Sequence, residues 1–155
     1  MSAELLDVDG VHVTRLEDLR LIQGAGCYAS DWNLPGQLHA AFVRADRAHA
    51  RIVSVNTAAA RAHPGVAAVY TGEDAVKAGY VNAPQFTGFA GKGGKKILPT
   101  PRPVMTHDKV RFVGDLVAMV VADSALVAQD AAGLIEVEYE DLPSATQMTD
   151  ALSPD

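Results

Sequence analysis

Between Val110 and Leu142 the chain carries a strand, a helix and a second strand in close succession, and this unit restricts the possible folds more than any other stretch. Val110 to Gly114 and Leu116 to Ala122 (LVAMVVA) are short, apolar and rich in β-branched residues, as expected of one strand that bends at Gly114-Asp115 and is buried on both faces. Asp123 or Ser124 is placed to cap a helix from Ala125 to Leu134, whose alanines favour helix and permit close approach to a sheet. Ile135 to Tyr139 (IEVEY) alternates apolar and charged residues, the pattern of a strand with one wet face, and Asp141-Leu142-Pro143 stops it. A ten-residue helix spans about 15 Å, close to the length of a five-residue strand. The second strand is therefore expected to return parallel to the first by a right-handed crossover, which gives an α/β (α+β) fold with a mixed sheet.

At 155 residues the chain is long enough to bury a core without a disulfide or metal staple, and one domain is expected. A net charge of −6 excludes a general nucleic-acid or anionic-membrane binder, since both need a broad cationic surface. Cys27 is the single cysteine, so no internal disulfide forms, which is compatible with a reducing cytoplasm. Glu4, Asp7, Asp9, Glu17 and Asp18 interrupt the opening residues, which rules out a secretion signal there. No stretch reaches the roughly 18 apolar residues of a membrane span. The expectation is a soluble, cytoplasmic protein.

In chain order, residues 1–14 read as an acidic lead-in with a short edge strand at Val11-His12-Val13, and Arg15 to Asp31 as an anchoring loop broken at Gly24 and Gly26. Strands are expected at Leu38 to Arg44, Arg51 to Asn56 and Val66 to Thr71. Thr57 is placed to cap a helix from Ala58 to His63, which must end before Pro64-Gly65, and Glu73-Asp74 favour a short helix to about Ala78. Residues 79–107 hold four of the eight prolines (Pro84, Pro99, Pro101, Pro103) along with Gly88, Gly91, Gly93 and Gly94. A loop of that length inside a compact domain is usually functional or mobile. Residues 153–155 form a tail.

Few residues assemble a recognisable chemistry. Gly24-x-Gly26-x-x-Ala29, with Asp46 about twenty residues on, imitates a dinucleotide fingerprint, but Asp31, Pro35 and Gly36 deny it the helix on which pyrophosphate would sit. GFAGKGGKK (Gly88 to Lys96) has no Gly-Lys followed by Ser or Thr, and reads as a solvated loop whose Lys92, Lys95 and Lys96 form the densest positive patch. His12, His39, His49, His63 and His107 include no ligand-spaced pair, although His39 and His49 lie ten apart across a turn and could meet. No Gly-x-Ser-x-Gly elbow occurs. Glu136, Glu138 and Glu140 share one strand face, where water explains them better than paired catalysis.

Taken together, Arg15-Leu16-Glu17-Asp18, Gly24-x-Gly26-x-Tyr28-x-x-Asp31, His39-Ala40-Ala41-Phe42-Val43-Arg44, His49-Ala50-Arg51-Ile52, Pro64-Gly65-Val66 with Val69, Thr71-Gly72-x-Asp74, Val110-Arg111-Phe112-Val113-Gly114-Asp115, Val117-Ala118 and Tyr139-Glu140-x-Leu142-Pro143 form an ordered series. The series resembles the α/β-hammerhead domain that opens the molybdopterin-binding large subunit of the xanthine dehydrogenase, aldehyde oxidase and carbon monoxide dehydrogenase family. The resemblance runs from Arg15 to Leu152, so residues 15–152 are expected to be one hammerhead domain. The chain departs from the family at Gly114-Asp115-Leu116, where Gly-Glu-Pro is frequent, and at Arg47, where proline or histidine is frequent. It also stops at Asp155 where the family continues, as a separately encoded or excised piece, or a remnant, would.

The resemblance implies a part of a molybdenum hydroxylase, an oxidoreductase in which water supplies the oxygen. Molybdopterin, iron–sulfur clusters and FAD would belong to the assembled enzyme, with no cofactor and no metal bound by this chain alone. The implied partners are the remainder of the molybdopterin-binding subunit and an iron–sulfur subunit. The carboxylate base and the pterin-holding groups lie in later domains of the family, so no catalytic residue is carried onto this chain. The family implies that the long loop lies near the substrate funnel, with Phe86 and Phe89 as candidates to line it. A freestanding small-molecule or protein binding module of the same fold is the rival reading.

Overall fold

Eight strands and four α-helices run through the residues that the computed structural model describes, namely 7–8, 11–12, 15, 17–80, 82–83, 91–94 and 101–150. The chain divides into two units, Met1–Gln37 and Leu38–Asp155. In the first, β1 (Asp7–Val8) pairs antiparallel with β2 (Val11–His12), so a short strand does form at Val11. The stretch read as an anchoring loop contains a five-residue helix, α1 (Asp18–Ile22), and one 3-10 turn at Ala29–Asp31. Asp18 in the first turn of α1 and Arg20 in the last complement the helix dipole, which local composition had left inconspicuous.

The second unit runs through β3 (His39–Arg44), β4 (Ala50–Asn56), α2 (Ala58–Ala62), β5 (Val66–Thr71), α3 (Gly72–Lys77), β6 (Lys109–Val110), β7 (Leu116–Ala122), α4 (Ala125–Ala132) and β8 (Glu136–Asp141). Each helix begins where a side chain can meet a free N–H. Asn56 Oδ1 accepts from Ala58 N at 3.1 Å, while Thr57 instead accepts from Arg61 Nε. At α3 the Thr71 N–H donates to Asp74 at 2.8 Å and Thr71 Oγ1 accepts from the Asp74 N–H, a reciprocal cap. Ser124 Oγ accepts from Val127 N at 3.2 Å and starts α4.

The strands form two separate antiparallel sheets, with orders β3-β7-β5 and β6-β4-β8. The α/β class and the succession β7, α4, β8 stand, but the single mixed sheet and the parallel return do not. Both edges of β7 are already taken by β3 and β5, so β8 has no place beside it. β8 pairs with β4 instead, and its carboxylates find donors there: Arg51 with Glu140 at 2.6 Å, Ser54 with Glu138 at 3.2 Å and Asn56 with Glu136 at 3.0 Å. Nor is Val110 to Ala122 one bent strand. Lys109–Val110 pairs with β4, and the turn through Gly114 (φ +98°) carries the chain into the other sheet.

That turn is held by Asp115, which is nearly buried and accepts from Arg111 N at 2.7 Å, while Arg44 Nη1 donates to the Gly114 carbonyl at 3.0 Å. The core gathers on both sides of it. Ala60, Val69, Ala118, Val120, Ala131 and Ile135 form one buried cluster, and Ala45, Ala50, Val110 and Val117 form another; Val55 and Val137 pack against both. Each fully buried valine contributes about 1.5–3 kcal/mol relative to exposure. The exposed Arg51–Glu140 pair is worth at most about 1 kcal/mol. Apolar packing, not the charged ladder, therefore holds the sheets together.

Candidate interaction surface

The two faces of the β3-β7-β5 sheet differ in what covers them. Register places Ala41, Val120 and Val69 in one row, and Val43, Ala118 and Thr71 in the next. These rows face α2, α4 and the first core cluster. The alternate rows are Phe42, Met119 and Tyr70, then Ala40, Val121 and Ala68. Val117, at one end of this second face, is buried against the second cluster. Beyond it the face opens, leaving Phe42 47% and Tyr70 45% exposed.

Next to Tyr70 and Met119 the face deepens into a groove of about 460 Å³, whose apolar walls include Ala75, Tyr80, Val104 and Met105. Outside the groove, Gly72 lets the chain pass close to Thr106: a Cβ at this position would lie 2.2 Å from the Thr106 carbonyl oxygen. Among the described residues the groove's charged lining is Arg61 and Asp74, 3.8 Å apart. The Thr71 backbone N–H holds the Asp74 carboxyl below its ordinary range; partial burial opposes this, and the Thr71 hydroxyl, Arg61 and Lys77 reinforce it. Elsewhere, burial pushes the Tyr139 hydroxyl up, with Asp46 adding and Arg47, 5.9 Å from the ring centre, opposing.

The residues singled out by sequence are distributed as follows. Phe86 and Phe89 lie outside the described residues, as do Lys95 and Lys96. Lys92 is exposed in a three-residue 3-10 turn. His39 opens β3 and His49 follows its far end, so the length of that strand separates them and they do not meet; His49 Nδ1 donates to the Pro143 carbonyl at 2.6 Å. Gly24 and Gly26 follow a five-residue helix instead of leading into one, and only a three-residue turn comes after them. Among the described residues no group of three His, Cys, Asp or Glu side chains is placed to hold a metal ion.

One exposed cysteine cannot supply the thiolates of an iron–sulfur cluster. The groove's one guanidinium is already paired, which makes a poor fit for a pyrophosphate-bearing pterin. No helix among the described residues is long and apolar enough to cross a membrane. The open row of Phe42, Met119 and Tyr70 had escaped the sequence reading. Its signal was present, since LHAAFVR and VAAVYT are apolar at alternate positions on both faces. Which of the two faces is covered depends on helices and strands far away in sequence.

Among the described residues, fold and surface thus define a small α/β domain with a partly exposed apolar sheet face and no assembled set of metal-ligating groups. Residues 23–143 match the family model for the aldehyde oxidase and xanthine dehydrogenase a/b hammerhead domain, and the chain belongs to that family. It is 40% identical to the carbon monoxide dehydrogenase large chain of Afipia carboxidovorans over 99% of its own length and 18% of that protein. It is 34% identical to the xanthine dehydrogenase molybdenum-binding subunit of Escherichia coli O157:H7, over 91% of itself and 18% of the relative. Among solved structures, quinoline 2-oxidoreductase from Pseudomonas putida 86 superposes with a TM-score of 0.75 and 44% identity, over 90% of this chain and 17% of that one. The chain therefore spans less than a fifth of the length of these relatives.

Proposed function

We propose that this chain serves as the structural and assembly module of a molybdenum hydroxylase. It braces the molybdopterin-binding and iron–sulfur parts of the enzyme and shapes the substrate funnel, while the reacting groups reside elsewhere. The observation that carries this reading is the hammerhead match over residues 23–143 of this chain, alongside relatives whose names specify a molybdenum-binding subunit and a carbon monoxide dehydrogenase large chain. What supports the division of labour is that one cysteine in the whole sequence is too few to hold an iron–sulfur cluster. Molybdopterin, iron–sulfur clusters and FAD would be held by the rest of the large subunit and its companions, and would supply oxygen insertion and electron transfer. Phe86 and Phe89 remain the proposed lining of the funnel. Residues 15–152 remain the proposed hammerhead domain.

The test is co-expression with a longer molybdopterin-binding chain that lacks its own hammerhead segment. Hydroxylase activity that requires both chains is the expected result, and activity indifferent to this one would refute the proposal. The groove favours a second reading, since about 460 Å³ lies within the range of small-molecule sites. A freestanding binder would take up a small apolar compound as a monomer, with no companion chain, detectable by calorimetry.

A further inference from the structure

We propose that the open face of the β3-β7-β5 sheet, centred on the row Phe42, Met119 and Tyr70, is the seat on which the remainder of a hydroxylase large chain docks. The inference rests on the assembly role proposed above and adds the surface that performs it. Phe42 and Tyr70 on the two edge strands stand exposed there, level with the half-buried Met119 of the central strand. The second row, Ala40, Val121 and Ala68, is small-sided, so an opposing element can approach the sheet backbone closely. Charge stands at the border, in Arg44 at the end of β3 and in the Arg61–Asp74 pair at the groove. An apolar centre with a polar rim is the anatomy of a protein interface, and aromatic residues at the centre are the usual anchors.

The length of the relatives selects the occupant. In them the matching stretch is about 18% of a much longer chain, and four-fifths of the polypeptide remains to be packed against it. The opposite face of the same sheet is closed by α2 and α4. The open face is therefore the side of this sheet left for that mass, which must present an aliphatic or aromatic surface to it.

The full chain is co-expressed with the Afipia carboxidovorans large chain lacking its own matching segment, and the complex is read by size exclusion and by hydrogen exchange. Protection of β3, β5 and β7 in the complex is the expected footprint. Phe42→Asp and Tyr70→Asp are each expected to weaken capture about tenfold or more. Phe42→Gln and Tyr70→Ser, milder changes, should weaken it in the same order while the free chain keeps its melting temperature. Glu138→Lys, on the other sheet, should leave capture unchanged. A complex whose footprint falls on β4 and β8, or one indifferent to Phe42 and Tyr70, overturns the surface and leaves the assembly role standing. Absence of any complex overturns both. A dimer of this chain formed through the same face assigns the seat to a second copy and also overturns the proposal.

Discussion

Gly72 shows how little freedom one position can have. Its Cβ would meet the Thr106 carbonyl at 2.2 Å and the His107 nitrogen at 2.7 Å, all backbone, so no side-chain rotation can relieve a Gly72→Ala change. The expected cost is about 2–3 kcal/mol, at the upper end of overpacking, read as a lowered urea midpoint with the slope unchanged. A shift under about 0.5 kcal/mol would mean that the Thr106–His107 backbone is not where the structure puts it. Asp74, two residues on, makes a prediction about pH. Its carboxyl is held below its ordinary range mainly by the Thr71 N–H, so the unfolded chain binds the proton more readily than the folded one. The stabilisation is complete above the ordinary carboxylate pKa and is lost as pH falls through the lower, folded value. Asp74→Asn should therefore flatten the acid limb of the stability profile, and an unaltered limb would contradict the assignment. The side chain is more than a third exposed, so the effect is modest.

At the scale of elements, Ser124 and the β4–β8 ladder are expected to weigh differently. Ser124→Ala removes the Val127 cap and should cost about 1 kcal/mol. Glu140→Gln disturbs an exposed pair with Arg51 and should cost less than about 1 kcal/mol despite its 2.6 Å contact. Thermal melts of the two variants check the order; a larger loss for Glu140→Gln would mean that the carboxylate ladder, not packing, sets the register. The elements themselves were legible from local chemistry. Val66 to Thr71 forms its strand as expected, α2 stops before Pro64, and Ser124 is indeed a cap. Their pairing was not legible. LVAMVVA looks like the middle of a parallel sheet because it is apolar on both faces. In the structure two antiparallel neighbours flank it, and helices bury Ala118 and Val120 on one face. On the other only Val117 is buried, against Ala45, Ala50 and Val110, while Met119 and Val121 stay half-buried. Periodicity reports burial, and only contacts remote in sequence decide the partner strand.

For the whole molecule, the interaction surface was less readable than the fold. Phe42 and Tyr70 lie in expected strands, yet their exposure follows from where α2 and α4 settle. Phe86 and Phe89 fall outside the described residues, so the funnel lining rests on family resemblance. The buried clusters are built largely from alanine and valine, small side chains that let two three-stranded sheets close together, and the large aromatics Phe42, Tyr70 and Tyr80 are left outward. A domain so arranged keeps part of its apolar surface for something else. If that something is the rest of a molybdenum hydroxylase, activity must belong to the assembly. The decisive measurement is substrate oxidation, with an artificial electron acceptor, by this chain alone, by the longer molybdopterin-binding chain without its hammerhead segment, and by the two co-purified. The account predicts turnover only in the third sample. Oxidation by the isolated chain, or equal rates with and without it, would contradict the account.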